Sequence, residues 1–214
     1  MTELCKNAFI SIEGNEGVGK STAMHYLKQC LEKNNCPYVA TREPGGTEIA
    51  EKIRQLLLDH HTEVMADDTE LLLLFAGRAQ HIQQLIVPAL QRGEWVITDR
   101  FTDASFAYQG GARGIAFERI ESLASWVQGD LWPTLTFLLD APVDVAMQRV
   151  TERGKKDRFE VEAVDFFERV RQSYLSLAKK NPHRFVLIDA SQNLEKVCYD
   201  IGQIMSQRFG LHGV

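Results

Sequence analysis
The stretch Gly14-Asn15-Glu16-Gly17-Val18-Gly19-Lys20-Ser21 decides how this chain is read, because it matches the phosphate-cradling pattern G-x-x-x-x-G-K-[ST] without a mismatch. In such a loop the glycines let successive backbone N–H groups turn inward toward phosphate oxygens, where a side chain would obstruct them. Lys20 has the reach for β- and γ-phosphates, and the Ser21 hydroxyl suits a magnesium ion. Gly14 to Ser21, with the adjoining Thr22, are therefore the expected triphosphate-binding residues. A helix starting near Gly19 adds the positive end of its dipole to the same anion site.

The flanks have the order that the loop requires. Ala8-Phe9-Ile10-Ser11-Ile12 reads as a short buried strand running into it, and Met24, Leu27, Cys30 and Leu31 recur beyond it at helical spacing. A glycine-rich turn matching by chance would lack that context. Four more strands are expected at Tyr38 to Thr41, Trp95 to Thr98, Leu135 to Leu139 and Phe185 to Ile188. Helices are expected near 46–58, 67–92, 102–109, 116–128, 142–153, 160–180 and 193–209. Continuous apolar strands alternating with amphipathic helices predict an α/β fold, a three-layer P-loop sandwich with a five-stranded parallel sheet covered on both faces.

Each strand runs into charge: Glu13, Arg42-Glu43, Asp99-Arg100, Asp140 and Asp189. Ligands of open parallel sheets bind beyond the carboxyl ends of the strands. Asp140 and Asp189 read as solvated strand ends, whereas the two Arg–carboxylate pairs read as functional.

The 214 residues suit one domain with a small mobile lid near 149–160. Hydrophobic residues make up 44% and charged residues 25%, as in soluble globular proteins. The net charge of -5 argues against non-specific nucleic-acid binding, which needs a basic face. Cys5, Cys30, Cys36 and Cys198 have no zinc-type pairing and read as reduced thiols of a cytoplasmic protein. There is neither a signal-peptide pattern nor an apolar run of membrane-spanning length.

Arg78 stands out. It falls in the middle of the apolar face defined by Leu71, Leu74, Phe75, Ile82, Leu85, Ile86 and Ala89. A buried guanidinium needs a partner or a cavity, so Arg78 is either in a structural ion pair or, the stronger reading, faces a ligand. Arg149 and Arg153 share a helix face, and Gly154-Lys155-Lys156-Asp157-Arg158 follows them. Three arginines from one short segment suit a lid that stabilises charge on a transferring phosphoryl group. A solvated helix end would explain only Lys155 and Lys156. The loops Thr41-Arg42-Glu43-Pro44-Gly45-Gly46-Thr47 and Tyr108-Gln109-Gly110-Gly111-Ala112-Arg113-Gly114 set charged, aromatic and amide groups beside glycines, as nucleobase recognition requires.

With Phe75-Ala76-Gly77-Arg78, Asp99-Arg100-Phe101, Asp157-Arg158-Phe159-Glu160 and Ile188-Asp189-Ala190-Ser191, these motifs make the chain resemble the bacterial thymidylate kinases along nearly its whole length. The resemblance implies transfer of the γ-phosphoryl of ATP to dTMP, giving dTDP for dTTP synthesis, with Mg2+ and in a homodimer. It implies that Lys20, Arg149, Arg153 and Arg158 act on the phosphates, with Arg153 and Arg158 nearest. The chain has no basic residue among Asn15, Glu16, Gly17 and Val18, which resembles the branch that supplies its catalytic arginine from the lid. Ser21, Glu16 and Asp99 would face the metal. On the acceptor side, Arg42 and Arg100 would hold the dTMP phosphate, with Glu43 and Pro44 shaping its pocket. Glu16 would meet the 3′-hydroxyl region, Arg78 the thymine, and Ser105, Tyr108 and Gln109 the nucleoside. Two positions depart from the family pattern. Leu74 stands where a stacking phenylalanine is common, with Phe75 beside it, and Phe101 stands where tyrosine or histidine is common.

Rival readings are another small P-loop kinase, a GTPase switch and a nucleic-acid-stimulated ATPase. The GTPase reading needs Asn-Lys-x-Asp and Asp-x-x-Gly, and neither string occurs.

Overall fold
The strand that enters the glycine loop, β1 (Phe9–Glu13), is buried at every residue and lies at the centre of the sheet. The computed structural model describes residues 7–153, 158–159 and 162–213, with Arg153 described by its backbone alone. With β2 (Tyr38–Arg42), β3 (Trp95–Asp99), β4 (Leu135–Asp140) and β5 (Phe185–Asp189), β1 forms a parallel five-stranded sheet of order β2-β3-β1-β4-β5. The chain winds outward from β1 in both directions, so the crevice at the carboxyl end of β1 is the place for a ligand.

Alternation along the strands makes two cores. Ile10, Ile12, Ile97, Phe137 and Leu139 pack against α1 (Lys20–Lys33) and α9 (Leu194–Phe209) on one face. On the other, Phe9, Val96 and Phe101 join Ile82 and Ile86, while Leu138 meets Phe167 and Tyr174 of α8 (Val164–Lys180). The predicted helix 46–58 is α2 (Glu48–Leu58), capped by Thr47 through its side-chain oxygen to the Ala50 N–H at 3.4 Å. The predicted helix 116–128 is α6 (Phe117–Val127), and that at 142–153 is α7 (Val143–Arg153).

Two expected helices are not uniform. The helix expected over 67–92 is α3 (Asp67–His81), a π-helical turn at Ile82–Ile86, and α4 (Val87–Gln91). The widened turn, in which the Val87 N–H reaches the Ile82 carbonyl, immediately precedes Pro88. Proline has no N–H and crowds the carbonyl four residues back, which the wider turn accommodates. The helix expected over 102–109 is one turn, α5 (Thr102–Ser105), followed by a π-helical segment at Phe106–Ala112. Asp140 is not simply solvated. It accepts two hydrogen bonds from the Arg171 guanidinium, at 2.7 and 2.9 Å. Asp189 is exposed but accepts the Ser191 N–H at 2.9 Å. Cys30 and Cys36 are buried and Cys198 is partly buried, and Cys5 lies outside the described residues.

Candidate active site
A cavity of about 520 Å³ opens beyond the strand ends between the glycine loop, the β2 loop, α3, α5 and α7. Six cations line it among the described residues: Lys20, Arg42, Arg54, Arg78, Arg100 and Arg149. They face three carboxylates, Glu16, Glu43 and Asp99. A chain of net charge -5 therefore concentrates positive charge in one concave place, which is what a ligand with several phosphates needs.

At the loop, Gly17 has φ +75°, and a side chain there would collide with the carbonyl of Ala146 on α7. The loop and α7 are thus in direct backbone contact. Lys20 Nζ is buried and donates to the Asn15 and Gly14 carbonyls at 2.8 and 3.4 Å, with Glu16 Oε2 3.7 Å away. Gly19 and Ser21 line the cavity beside it. Asn15 turns inward instead, donating to the Phe167 carbonyl at 3.1 Å, and Val18 is buried in the core. Gly14 contributes its carbonyl, and Thr22 is not among the lining residues.

Arg100 follows β3 in the left-handed region, φ +70°, a conformation that non-glycine residues rarely hold without surrounding constraint. Its Nη1 donates to the Gly14 carbonyl (2.8 Å) and the Tyr174 hydroxyl (3.0 Å), and its Nη2 to Glu16 Oε1 (2.6 Å) and the Tyr108 hydroxyl (2.8 Å). Burial alone would raise the Glu16 carboxyl, but Arg100 and Lys20 outweigh it and hold its pKa at about 2. Glu13, three residues earlier, accepts from the Phe101 N–H and the Tyr174 hydroxyl, each at 2.7 Å. Burial, reinforced by Asp103, pushes its pKa up to about 8.

Across the cavity, Arg78 is buried on α3. Its Nε donates to Glu43 Oε2 at 2.7 Å and its Nη2 to the Ser105 hydroxyl at 3.1 Å. Its Nη1 has no hydrogen-bond partner among the described residues. Arg78 is in the structural ion pair, and it also lines the cavity. Leu74 faces the cavity, whereas Phe75 is buried with the Arg78 guanidinium 4.5 Å over its ring. Pro44, after a cis Glu43–Pro44 bond, and Ser105, Tyr108 and Gln109 also line the space. Arg42 is half exposed and pairs with Glu51 at 2.9 Å.

The two lid arginines whose side chains are described, Arg149 and Arg158, do not converge. Arg149 lines the cavity, with Nη1 on the Ala190 carbonyl at 3.0 Å. Arg158 is tied to the far wall. Its Nη2 meets Glu70 Oε2 at 2.6 Å and its Nε the Leu57 carbonyl at 2.7 Å. The Arg153 side chain lies outside the described residues. Sequence reasoning missed Glu70, His81, Arg54 and Glu13. Glu70 and His81 are buried on α3 like Arg78, but by helical spacing they fall beside the arc of apolar positions and not in its middle, so the test that singled out Arg78 passes over them. Glu70 is a hub, accepting from Gln109 (2.8 Å), Arg113 (3.3 Å) and Arg158.

Asp99 lines the cavity with a buried Oδ1 that has no partner among the described residues. Those residues hold no group of three or more His, Cys, Asp or Glu that could bind a metal by themselves. No helix among them is long and apolar enough to cross a membrane.

The family model for thymidylate kinase matches residues 12–201. The chain is 52% identical over 200 residues to a thymidylate kinase of Vesicomyosocius okutanii, covering 94% of this chain and 98% of that protein. It is 56% identical over 189 residues to one of Pseudomonas putida strain W619, covering 88% and 91%. The crystal structure of a thymidylate kinase from Ehrlichia chaffeensis superposes with a TM-score of 0.76 at 32% identity, covering 93% of this chain and 98% of that one. By family model, by sequence and by fold, the chain belongs to the thymidylate kinase family, a family of kinases.

Proposed function
We propose that this enzyme transfers the γ-phosphoryl of ATP to dTMP in a single domain, giving dTDP. The observation that carries the reading is Arg78: a buried guanidinium, held at two nitrogens by Glu43 and Ser105 and without a partner at its third among the described residues, lines a cavity that Lys20 also lines. That is how a site fixes one hydrogen bond to a base at a set distance from a phosphate. Arg100 and the more exposed Arg42 take the acceptor phosphate. Glu16 meets the sugar 3′-hydroxyl region, and Leu74, Pro44, Ser105, Tyr108 and Gln109 wall the nucleoside. The glycine loop holds ATP through its N–H groups and Lys20. Phosphoryl transfer needs alignment and neutralisation of spreading charge, not a protein nucleophile. Arg149, with Arg153 and Arg158 of the lid segment, supplies that charge.

Mg2+ fits the residues present. It binds through one or two protein oxygens plus phosphates, so the Ser21 hydroxyl and the unpartnered Asp99 oxygen suffice, with Glu16 beside them. When bound, it neutralises phosphate charge. The protein works in the cytoplasm as a homodimer. The exposed Leu72 of α3 and Trp126 of α6 support pairing through these helices, which light scattering on a size-exclusion column checks.

A coupled assay with dTMP, dUMP, dCMP, AMP and GMP tests the reaction. dTMP is expected to turn over fastest, and faster turnover of any other acceptor overturns the assignment.

A further inference from the structure
His81 is fully buried in the last turn of α3, one turn beyond Arg78 on the same face. Neither the glycine loop nor the cavity wall uses it, yet both of its nitrogens are engaged. Nδ1 lies 3.0 Å from Glu43 Oε1, and Nε2 lies 2.8 Å from the Thr41 hydroxyl. Burial would raise the Glu43 carboxyl, but Arg78 and His81 outweigh it and keep it below the usual carboxylate range. An ionised carboxylate only accepts, so Nδ1 is the donor. A continuous chain of bonds therefore runs from Thr41 at the end of β2, through His81 and Glu43, to Arg78 Nε.

The Pro-Gly-Gly loop makes room for it. Gly46 has φ +89°, and a Cβ there would stand 2.5 Å from the Thr41 hydroxyl oxygen and 2.6 Å from His81 Nε2. A single donor leaves a carboxylate free to pivot about its last torsion, whereas donors on both oxygens fix its plane. Here Arg78 takes one oxygen and His81 the other.

We infer that His81 is a positioning residue for acceptor recognition: by pinning Glu43 against Thr41 it sets the plane of the Arg78 guanidinium, and so the direction in which Arg78 Nη1 meets the acceptor base. This rests on the reading of Arg78 as the base contact. It makes the histidine, remote from the phosphates, a determinant of acceptor affinity and not of ATP affinity.

Two near-isosteric variants separate positioning from space-filling. His81→Asn keeps a donor where Nδ1 is, and His81→Gln keeps one where Nε2 is. Calorimetric titration of each with dTMP alone, together with KM for dTMP and for ATP, reads the effect. His81→Gln is expected to weaken dTMP about tenfold, the scale of one lost hydrogen bond to a charged group. His81→Asn, which loses only the bond to Thr41, should weaken dTMP about threefold, with KM for ATP unchanged in both. Equal losses in the two variants, or a parallel rise in KM for ATP, overturn the inference. Arg78→Gln, measured alongside, tests the underlying reading. Unchanged dTMP affinity there sinks the base contact itself, while a large loss there with equal losses at His81 sinks only the relay. If neither His81 variant folds, Thr41→Val reads the other end of the chain: dTMP is expected to bind about threefold more weakly, and unchanged affinity overturns the proposal.

Discussion

The two ends of the cavity are built differently. At the acceptor end, Arg78 and Arg100 are each held by two or more hydrogen bonds to other residues, and each is anchored on a buried or nearly buried carboxylate, Glu43 and Glu16. At the lid end, Arg149 donates to a backbone carbonyl, and Arg158 is bound to Glu70 and the Leu57 carbonyl. One end is set by these bonds alone, as the proposed base contact requires, because a misplaced contact of that kind costs selectivity. The other carries Arg149 under lighter restraint, as suits a group that the proposed reaction needs only when charge develops on the transferring phosphoryl.

The contrast sets the order of effects to be expected. Lys20→Ala serves both ends and should lower turnover by about 10²–10³-fold, the cost of removing one preorganised charge-stabilising donor. Its thermal unfolding should be unchanged, and a near-normal rate would remove Lys20 from the phosphates. Arg100→Ala should raise KM for dTMP by about 10–100-fold, matching the loss of hydrogen bonds to a charged group, with KM for ATP little changed. Arg149→Ala should instead lower kcat by about tenfold and leave KM for dTMP alone. Steady-state kinetics over both substrates checks the pair. If the two arginines move the same constant, the distinction between the ends collapses.

The smallest effect concerns two glutamates of one short segment. Glu13 has a folded pKa of about 8, above its ordinary value, so its stabilising contribution is complete below about pH 4.5 and is lost as pH rises toward 8. Glu16, held at about 2, contributes stability that is present above about pH 4.5 and lost as pH falls toward 2. Glu13→Gln mimics the neutral acid, so its urea midpoint should fall less than the parent's between pH 5 and pH 8. Glu16→Gln should leave that interval unaltered and flatten the fall below pH 4.5. Parallel curves for the parent and Glu13→Gln would show that Glu13 is ionised throughout.

Much of this was legible in the residues. Each strand is found where apolar runs predict it, but each extends one residue further, onto Glu13, Arg42, Asp99, Asp140 or Asp189. Hydrophobicity cannot see that residue, since its backbone completes the ladder while its charged side chain turns to polar partners, the cavity or solvent. Arg78 was legible because burying a guanidinium is costly, and Leu74 was separable from Phe75 only once the helix phase was known. The partners were harder. Nothing in spacing ties Glu43 to His81, 38 residues away, or Glu13 to Tyr174, 161 away. Chemistry picks the reactive side chains out of a sequence, whereas their holders are chosen by topology.

The close packing of Gly17 against α7 bears on how such a loop could evolve. Among the four variable positions, Asn15 points into the core, Val18 is buried and Gly17 has no space for a side chain. Only position 16 can offer a side chain to the cavity, and there Glu16 balances Arg100 and Lys20. A single mutation to arginine at 16 would bring three cations together and remove the carboxylate that orients one of them. Moving a basic group into this loop therefore needs a compensating change at position 100 or elsewhere.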